Sequence, residues 1–389
     1  MRFLVLLCAF AFISLGLPDG LLGVAWPSIR GTFGRDLDDL GLLLIASTSG
    51  YVASSFANGW LLTRLALGGV LTASCVCSAV ALGGYAVAPG FWWLLPLAVV
   101  LGAGGGGIDA ALNTYVAANH GARTLNLLHA CYGIGAAIGP LLMTSILQAG
   151  RPWQRGYALT AMILVCLAVA FAATLRAWPA VEAPAEHERS AQLSATLRLP
   201  AARLGIVVFL AYTGLEASVG AWTYTVLTLG RGVAPAVAGM IVAAYWGGLT
   251  AGRLLGAVGA GRYTADTVLR LALTGMAIGV VGIWLAQAPA VTAASIALVG
   301  VAAGPVFPTL TALTPERVGA AHLENAVGFQ IAAGALGLSV VPAGVGLVAD
   351  GAGVGVIPVV LVVLSIALWA AYWAWQRLPH DAAAVPRSL

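Results

Sequence analysis

The sequence has no lysine: all 18 of its basic residues are arginine. A phosphate-binding P-loop requires its lysine, so an ATP-hydrolysing motor is excluded from this chain. Charge of either sign is scarce, at 8% of residues, where an ordinary soluble domain carries about 25%. Hydrophobic residues make up 60% of the 389, against about 45–50% in such a domain, and they run the whole length of the chain. A surface with so few charges cannot stay solvated in water, which excludes a soluble enzyme, a disordered regulator and a nucleic-acid binder. Cysteine is sparse too. Cys8, Cys75, Cys77, Cys131 and Cys166 all fall in apolar segments, and Cys75 and Cys77 point to different faces of a helix, so neither a disulfide framework nor a metal site is indicated. No His pair has metal-ligand spacing and no nucleophile–base constellation is visible, so neither an enzyme nor a bound cofactor or metal is expected.

What is present is a succession of apolar runs. A membrane-crossing helix needs about 20 mostly apolar residues. Cutting at Arg, Pro and acidic clusters gives twelve such stretches: 4–28, 39–62, 69–88, 91–118, 126–148, 156–177, 204–228, 234–258, 266–287, 291–313, 324–349 and 354–376. The first run continues past Asp19 to Trp26 without a small-x-small site, so it reads as a span and not as a cleaved signal peptide. With the N-terminus inside, thirteen arginines fall on the cytoplasmic side and five (Arg30, Arg35, Arg151, Arg155, Arg231) on the other, which places both termini in the cytoplasm. The polar stretch with Glu182, Glu186, Glu188 and Arg189 reads as a cytoplasmic linker. The expected organisation is a six-helix bundle over 1–178, a linker over 179–203, a second bundle over 204–376 and a tail over 377–389.

The two halves repeat. At an offset of 197, Asp19 falls on Glu216, Gly23 on Gly220, Gly50 on Gly247, Gly59 on Gly256 and Gly107 on Gly304. Glycine is abundant, so single Gly matches carry little; an intramembrane acid falling on another in the same register carries more. Parallel six-helix repeats are the architecture of the major facilitator superfamily, which binds its solute near the midplane between the halves. The expected fold class is therefore an all-α membrane protein of twelve helices.

Three acids lie well inside spans: Asp19 in helix 1, Asp109 in helix 4 and Glu216 in helix 7. A carboxylate at mid-bilayer costs about 2.5–3.5 kcal/mol on insertion scales, so such groups face a cavity and have a task. Burial favours the neutral form of a carboxyl, as proton coupling requires, and no mid-span Arg is expected to neutralise these three. Asn113 shares a helix face with Asp109, Trp26 with Asp19, and Tyr212 with Glu216. Carboxyl, amide and aromatic groups on cavity-facing stripes suit a polyhydroxylated ligand. Tyr132, Gln330, Trp222, Tyr245 and Trp246 are further candidates, the last three suiting interfacial anchoring equally. Trp60, Trp92, Trp93, Trp373 and Trp375 read as anchors. Gly102-x-Gly104-x-x-Gly107 matches a dinucleotide fingerprint but lies within a span, where close helix packing explains it, as it does Gly135-x-x-x-Gly139 in helix 5. His129 suits either a proton path or helix packing, and His322 and Glu324 at the start of helix 11 are expected to meet arginines.

Several of these stretches resemble the fucose permease-like, sugar–proton symporter branch of the superfamily: Gly106-Gly107-Ile108-Asp109-Ala110-Ala111-Leu112-Asn113, Asp19-Gly20-Leu21-Leu22, Tyr212-Thr213-Gly214-Leu215-Glu216 with Trp222, and Leu125-Asn126-Leu127-Leu128-His129. The resemblance implies cation-coupled uptake, with Asp109 as the protonation site and Asp19 contacting sugar. It departs from that branch at Glu216, where the family pattern has an amide, which leaves room for a second coupling site or a different ligand. The superfamily's gating loop between helices 2 and 3 keeps Gly59 and Arg64, with Thr63 in place of the usual acid, and Gly252-Arg253 is its counterpart near helix 8. The implied protein is a monomeric, multi-pass transporter of a bacterial-type inner membrane, moving a sugar-like solute with a proton or sodium ion. Efflux of hydrophobic compounds is the alternative, and lipid is the only macromolecular surroundings expected.

Overall fold

The computed structural model describes residues 2–178, 192–259, 262–286 and 288–378, and its regular structure is helical throughout. The first helix, α1, covers Arg2–Phe33. Helical backbone then runs over Leu40–Val87, 48 residues or about 72 Å at 1.5 Å per residue, more than twice a hydrocarbon core. It doubles back at Ala66, whose φ of 53° and ψ of 171° break the helix into α2 (40–65) and α3 (67–87). Likewise Phe91–Gln148 holds two apolar spans, α4 (Phe91–His120) and α5 (Leu127–Gln148), and α6 is Gln154–Ala173. The second half supplies α7 (Pro200–Gly230), α8 (Pro235–Gly259), α9 (Ala265–Leu285), α10 (Pro289–Val318), α11 (Leu323–Ala352) and α12 (Ile357–Gln376). Among the described residues these are twelve apolar helices of a multi-pass membrane protein.

Two breaks shape α10. Its helix is interrupted at Gly304-Pro305, where proline cannot donate to the preceding turn. Gly319, at φ 78°, stops it in the left-handed conformation that favours glycine. Residues 179–191, most of the expected linker, and 379–389, most of the tail, lie outside the described residues. The described part of the linker forms a short helix, Leu193–Arg198, and its Thr196 hydroxyl meets His322 Nδ1 at 2.9 Å. His322 therefore contacts a linker hydroxyl where an arginine was expected.

Small residues let helix backbones meet. A side chain at Gly102 or Gly106 in α4 would overlap the carbonyl oxygens of Ser47 or Tyr51 in α2. A side chain at Gly300 or Gly304 in α10 would overlap or crowd those of Tyr245 or Leu249 in α8, and each of the four pairs is 55 residues apart in sequence. Gly50 against Val99 and Gly248 against Ala297 repeat the match at a separation of 49. The helix 2–4 crossing is thus rebuilt in helices 8 and 10, and it equates Gly106 with Gly304, one residue from the pairing read at the fixed offset. The fingerprint-like glycines are packing surfaces, as expected within a span. On α1 and α5, Gly16 and Gly20 face the carbonyls of Tyr132 and Ala136, while Gly135 and Gly139 face those of Ile13 and Leu17. This mutual approach brings Asp19 beside Tyr132.

The helix bundle has a proximal face, where α1 begins, and a distal face opposite it. On the distal side the halves touch. Gly23 and Gly220, equivalent positions of the repeat, meet each other: a Cβ at Gly23 would lie 3.0 Å from the Gly220 oxygen. Gly41 abuts Ala343, Gly346 abuts Trp222 and Asp38, and the Leu37 amide donates to Asp350 Oδ1 at 3.2 Å. On the proximal side Gly59 and Gly328 have nothing within 4 Å of where a side chain would begin. Phe56 in the proximal part of α2 is 79% exposed.

Candidate functional site

Just proximal to the Gly23–Gly220 contact, polar side chains from six helices converge. Asp19 Oδ2 accepts from the Tyr132 hydroxyl at 2.7 Å and is exposed although it sits mid-helix, so it borders open space between helices. Asp109 is clasped on both oxygens: the Tyr51 hydroxyl donates to Oδ2 at 2.5 Å, and Asn113 Nδ2 donates to Oδ1 at 2.9 Å. The Asp109–Asn113 spacing of one helical turn makes the second bond, and the α2–α4 glycine crossing makes the first. His129, half-buried, stacks edge-on against Phe12 at 5.4 Å and feels the charges of Asp109 and Arg253.

In the second half, the Tyr212 hydroxyl lies against both Glu216 Oε2 and the Ala303 carbonyl, the latter at 3.0 Å. Tyr245 donates to the Glu216 backbone oxygen at 2.7 Å. Arg253 Nη2 stands 4.0 Å from Glu216 Oε1. This corrects the expectation that no mid-span arginine neutralises the acids, and moves Arg253 out of the loop and out of the cytoplasmic arginine count. Its position six residues before the end of α8 reads as loop-adjacent in sequence, and only its approach to Glu216 in the fold reveals the pair. Arg253 also acts electrostatically on Tyr132, across the interface.

The other expected residues are placed differently. Trp26 is fully buried and meets the Phe91 ring edge-on at 6.3 Å. Trp222 is fully buried in the distal contact, its indole donating to the Pro342 oxygen at 3.0 Å. Gln330 is buried, its Oε1 accepting from Thr314 at 2.9 Å. None of the three borders the space around Asp19 in this conformation. Trp246 is buried with its ring beside Gly220. Arg64 is exposed with its guanidinium 5.4 Å from the Trp60 ring centre, Gly59 is open, and Gly252 is a packing contact against Val301. Trp60, Trp92, Trp93 and Trp373 are exposed as anchors should be, but Trp375 is buried, donating to the Ala201 oxygen at 2.9 Å. Tyr51 was missed. Its signal was the polar stripe Ser47, Tyr51, Ser54, Ser55 and Asn58 along one face of α2.

The distal contact has its own chemistry. Asp38, in the turn before α2, is pushed above the ordinary aspartate range by partial burial first and then by the charges of Asp39 and Asp350, with Asp36 adding to them. Arg35 pairs with Asp39 at 2.8 Å, not with Asp38. A carboxyl raised in the closed state binds protons more tightly there than when hydrated, so closure takes up protons and acidification favours it. The Leu37 amide should accordingly exchange more slowly, after correction for intrinsic rate, as pH falls from about 7 toward about 4. Asp38→Asn should flatten that dependence, and an unchanged profile in the variant would show that Asp38 is not its source.

A family model described as Major Facilitator Superfamily matches residues 8–203. "Bypass of stop codon protein 6" of Saccharomyces cerevisiae is 24% identical over 277 residues, covering 64% of this chain and 55% of that protein, so the chain spans little more than half the length of this relative. Among solved structures, a nucleoside transporter, NupG, is similar at a TM-score of 0.80 and 14% identity, over 95% of this chain and 99% of that one. A bacterial homologue of the human lysosomal transporter Spinster, inward-facing and occupied, gives 0.78 and 12% over 98% and 99%. The E. coli fucose:proton symporter gives 0.64 and 17% over 96% and 98%. At these identities the likeness is one of fold.

Proposed function

The chain belongs to the major facilitator superfamily, and on that premise we propose that it is a secondary transporter that moves a small polar, sugar-like solute together with a proton. The observation that carries this reading is the set of three intramembrane acids, each with a tyrosine partner, around space that one face seals. Asp109 is the coupling acid: Tyr51 and Asn113 hold both of its oxygens in either protonation state, and among the described residues no cationic group is in direct contact with it. Asp19 with Tyr132 presents an acceptor and a hydroxyl to the solute, and Glu216 with Tyr212 and Tyr245 forms the opposite wall. A wall this polar suits hydroxylated solutes better than hydrophobic drugs.

In the transport cycle, the distal seal at Gly23–Gly220 and Gly41–Ala343 opens as a proximal seal forms, and the halves rock about the site. The proximal face is the cytoplasm under the arginine asymmetry, so the state described is inward-open, and a single chain completes the cycle. The test is uptake of labelled hexoses and pentoses into proteoliposomes with and without an inward proton gradient. Accumulation should require the gradient and persist without sodium. Accumulation driven by sodium alone would overturn proton coupling, and export of hydrophobic dyes without sugar uptake would overturn the symport reading.

A further inference from the structure

Proton-coupled uptake of a neutral solute leaves Arg253 without a task. A guanidinium within a membrane span is costly, and such a residue calls for an anionic partner. The partner at hand engages it poorly. Nη2 reaches Glu216 Oε1 only at 4.0 Å, the Arg253 side chain keeps 24% of its exposure, and among the described residues it donates no hydrogen bond.

Glu216 is meanwhile held by other groups. The Tyr212 hydroxyl has one proton and lies against two acceptors, Glu216 Oε2 and the Ala303 carbonyl. A carbonyl cannot donate. If Glu216 is protonated, its carboxyl donates to Tyr212 and Tyr212 donates to Ala303, and both contacts are satisfied. In that state Glu216 is neutral and the five N–H donors of Arg253 are uncommitted beside open space. Gly133 of α5 packs against Thr250 of α8, three residues before Arg253, so Tyr132 and the Asp19 carboxylate that accepts its hydroxyl stand close to this part of α8.

We propose that the site takes a hydroxylated monocarboxylate, a sugar-acid-like molecule whose carboxylate docks on Arg253 and whose hydroxyls reach Asp19 and Tyr132. This rests on the symport reading and narrows its solute. Empty, Arg253 is balanced by ionised Glu216. Loaded, it is balanced by the substrate carboxylate while Glu216 carries a proton. The group of Glu216, Arg253 and ligand is neutral in both states, which a site inside a membrane favours. Substrate and Glu216 thus exchange places as the partner of one guanidinium, and a proton accompanies the exchange. The carboxylate also explains why the second half carries an acid–arginine pair where a neutral sugar would need only hydrogen-bonding groups.

The experiment compares D-gluconate with D-glucose by titration calorimetry on the full purified chain at mildly acidic pH. Gluconate should bind about 10- to 100-fold more tightly, the range expected for charge-assisted hydrogen bonds. Arg253→Gln should erase the difference and Arg253→Lys should keep part of it. Glu216→Gln should keep gluconate affinity and remove its decline as pH rises. Glucose bound as tightly as gluconate, or gluconate affinity unchanged in Arg253→Gln, would overturn the proposal, and the first of these needs no variant to fold. Serine bound as tightly as gluconate would overturn it in favour of a zwitterion, with an ammonium at Asp19. In proteoliposomes, gradient-driven uptake of glucose but not gluconate refutes this inference and leaves the symport reading standing. Gradient-driven uptake of neither refutes both.

Discussion

Asp109→Asn should reduce gradient-driven accumulation of a neutral sugar, whose binding leaves the Glu216–Arg253 pair in place, to simple equilibration while leaving solute exchange intact. Each coupled proton contributes 1.36 kcal/mol per unit of pH difference, so an inward gradient of about two units supports about 100-fold accumulation, and the variant should fall to an accumulation ratio of about one. The substitution is nearly isosteric, and the clasp around the side chain can adapt. The new amide still offers an oxygen to one neighbour, and its nitrogen can donate to the Tyr51 oxygen, which is also an acceptor. Helix packing should survive, because the α2–α4 crossing rests on Gly102 and Gly106 and not on this carboxyl. What is lost is titration. Counterflow of labelled against unlabelled solute, which needs no net proton movement, should therefore persist. A variant that still accumulates to the wild-type ratio would remove Asp109 from the coupling role.

Much of the fold was legible because membrane spanning imposes one simple rule, about 20 apolar residues per crossing, and the chain offers twelve such runs. Its ends were less so. The reversal at Ala66 falls in the cut read between residues 62 and 69, whereas the break at Gly304-Pro305 falls inside an apolar run. The site was legible in part for a similar reason. A carboxyl in a span is conspicuous in sequence, so Asp19, Asp109 and Glu216 announce themselves. Their partners come from other helices, and no spacing along one helix reveals that Tyr51 reaches Asp109 or that Tyr132 reaches Asp19.

Aromatic residues were the least readable. Trp26, Trp222 and Trp375 are all fully buried, yet periodicity alone allows each of them a cavity, an interface or a core. What decides is the neighbour: Phe91 for Trp26, the Pro342 carbonyl for Trp222, the Ala201 carbonyl for Trp375. Arg253 illustrates the converse. Counted by its distance from a helix end it belongs to the membrane surface, and only its approach to Glu216 makes it part of the site.

Gly346→Trp should abolish net transport by preventing the distal face from closing. The first side-chain atom at this position would already stand 2.8 Å from the Trp222 ring and 3.2 Å from the Asp38 Cα, so an indole has no room while α2, α7 and α11 are together. Alternating access requires that closed state once per cycle, and a chain unable to reach it is held open on the distal side. Transport should fall at least about 100-fold, the factor left when closure is disfavoured by about 2.7 kcal/mol or more, which is at the upper end of an overpacking penalty. Asp19, Asp109 and Arg253 are untouched, so solute binding should remain. The Leu37 amide, which is tied to Asp350 in the closed state, should lose its protection from hydrogen exchange. Gly346→Ala should have a smaller effect, because its methyl meets the edge of a ring that can tilt. General misfolding and a specific wedge are separated by compensation. Adding Trp222→Ala to Gly346→Trp vacates the volume of one indole for another, and recovery of transport in the double variant identifies the wedge. Wild-type transport in Gly346→Trp alone would mean that the distal contact is not part of the working cycle.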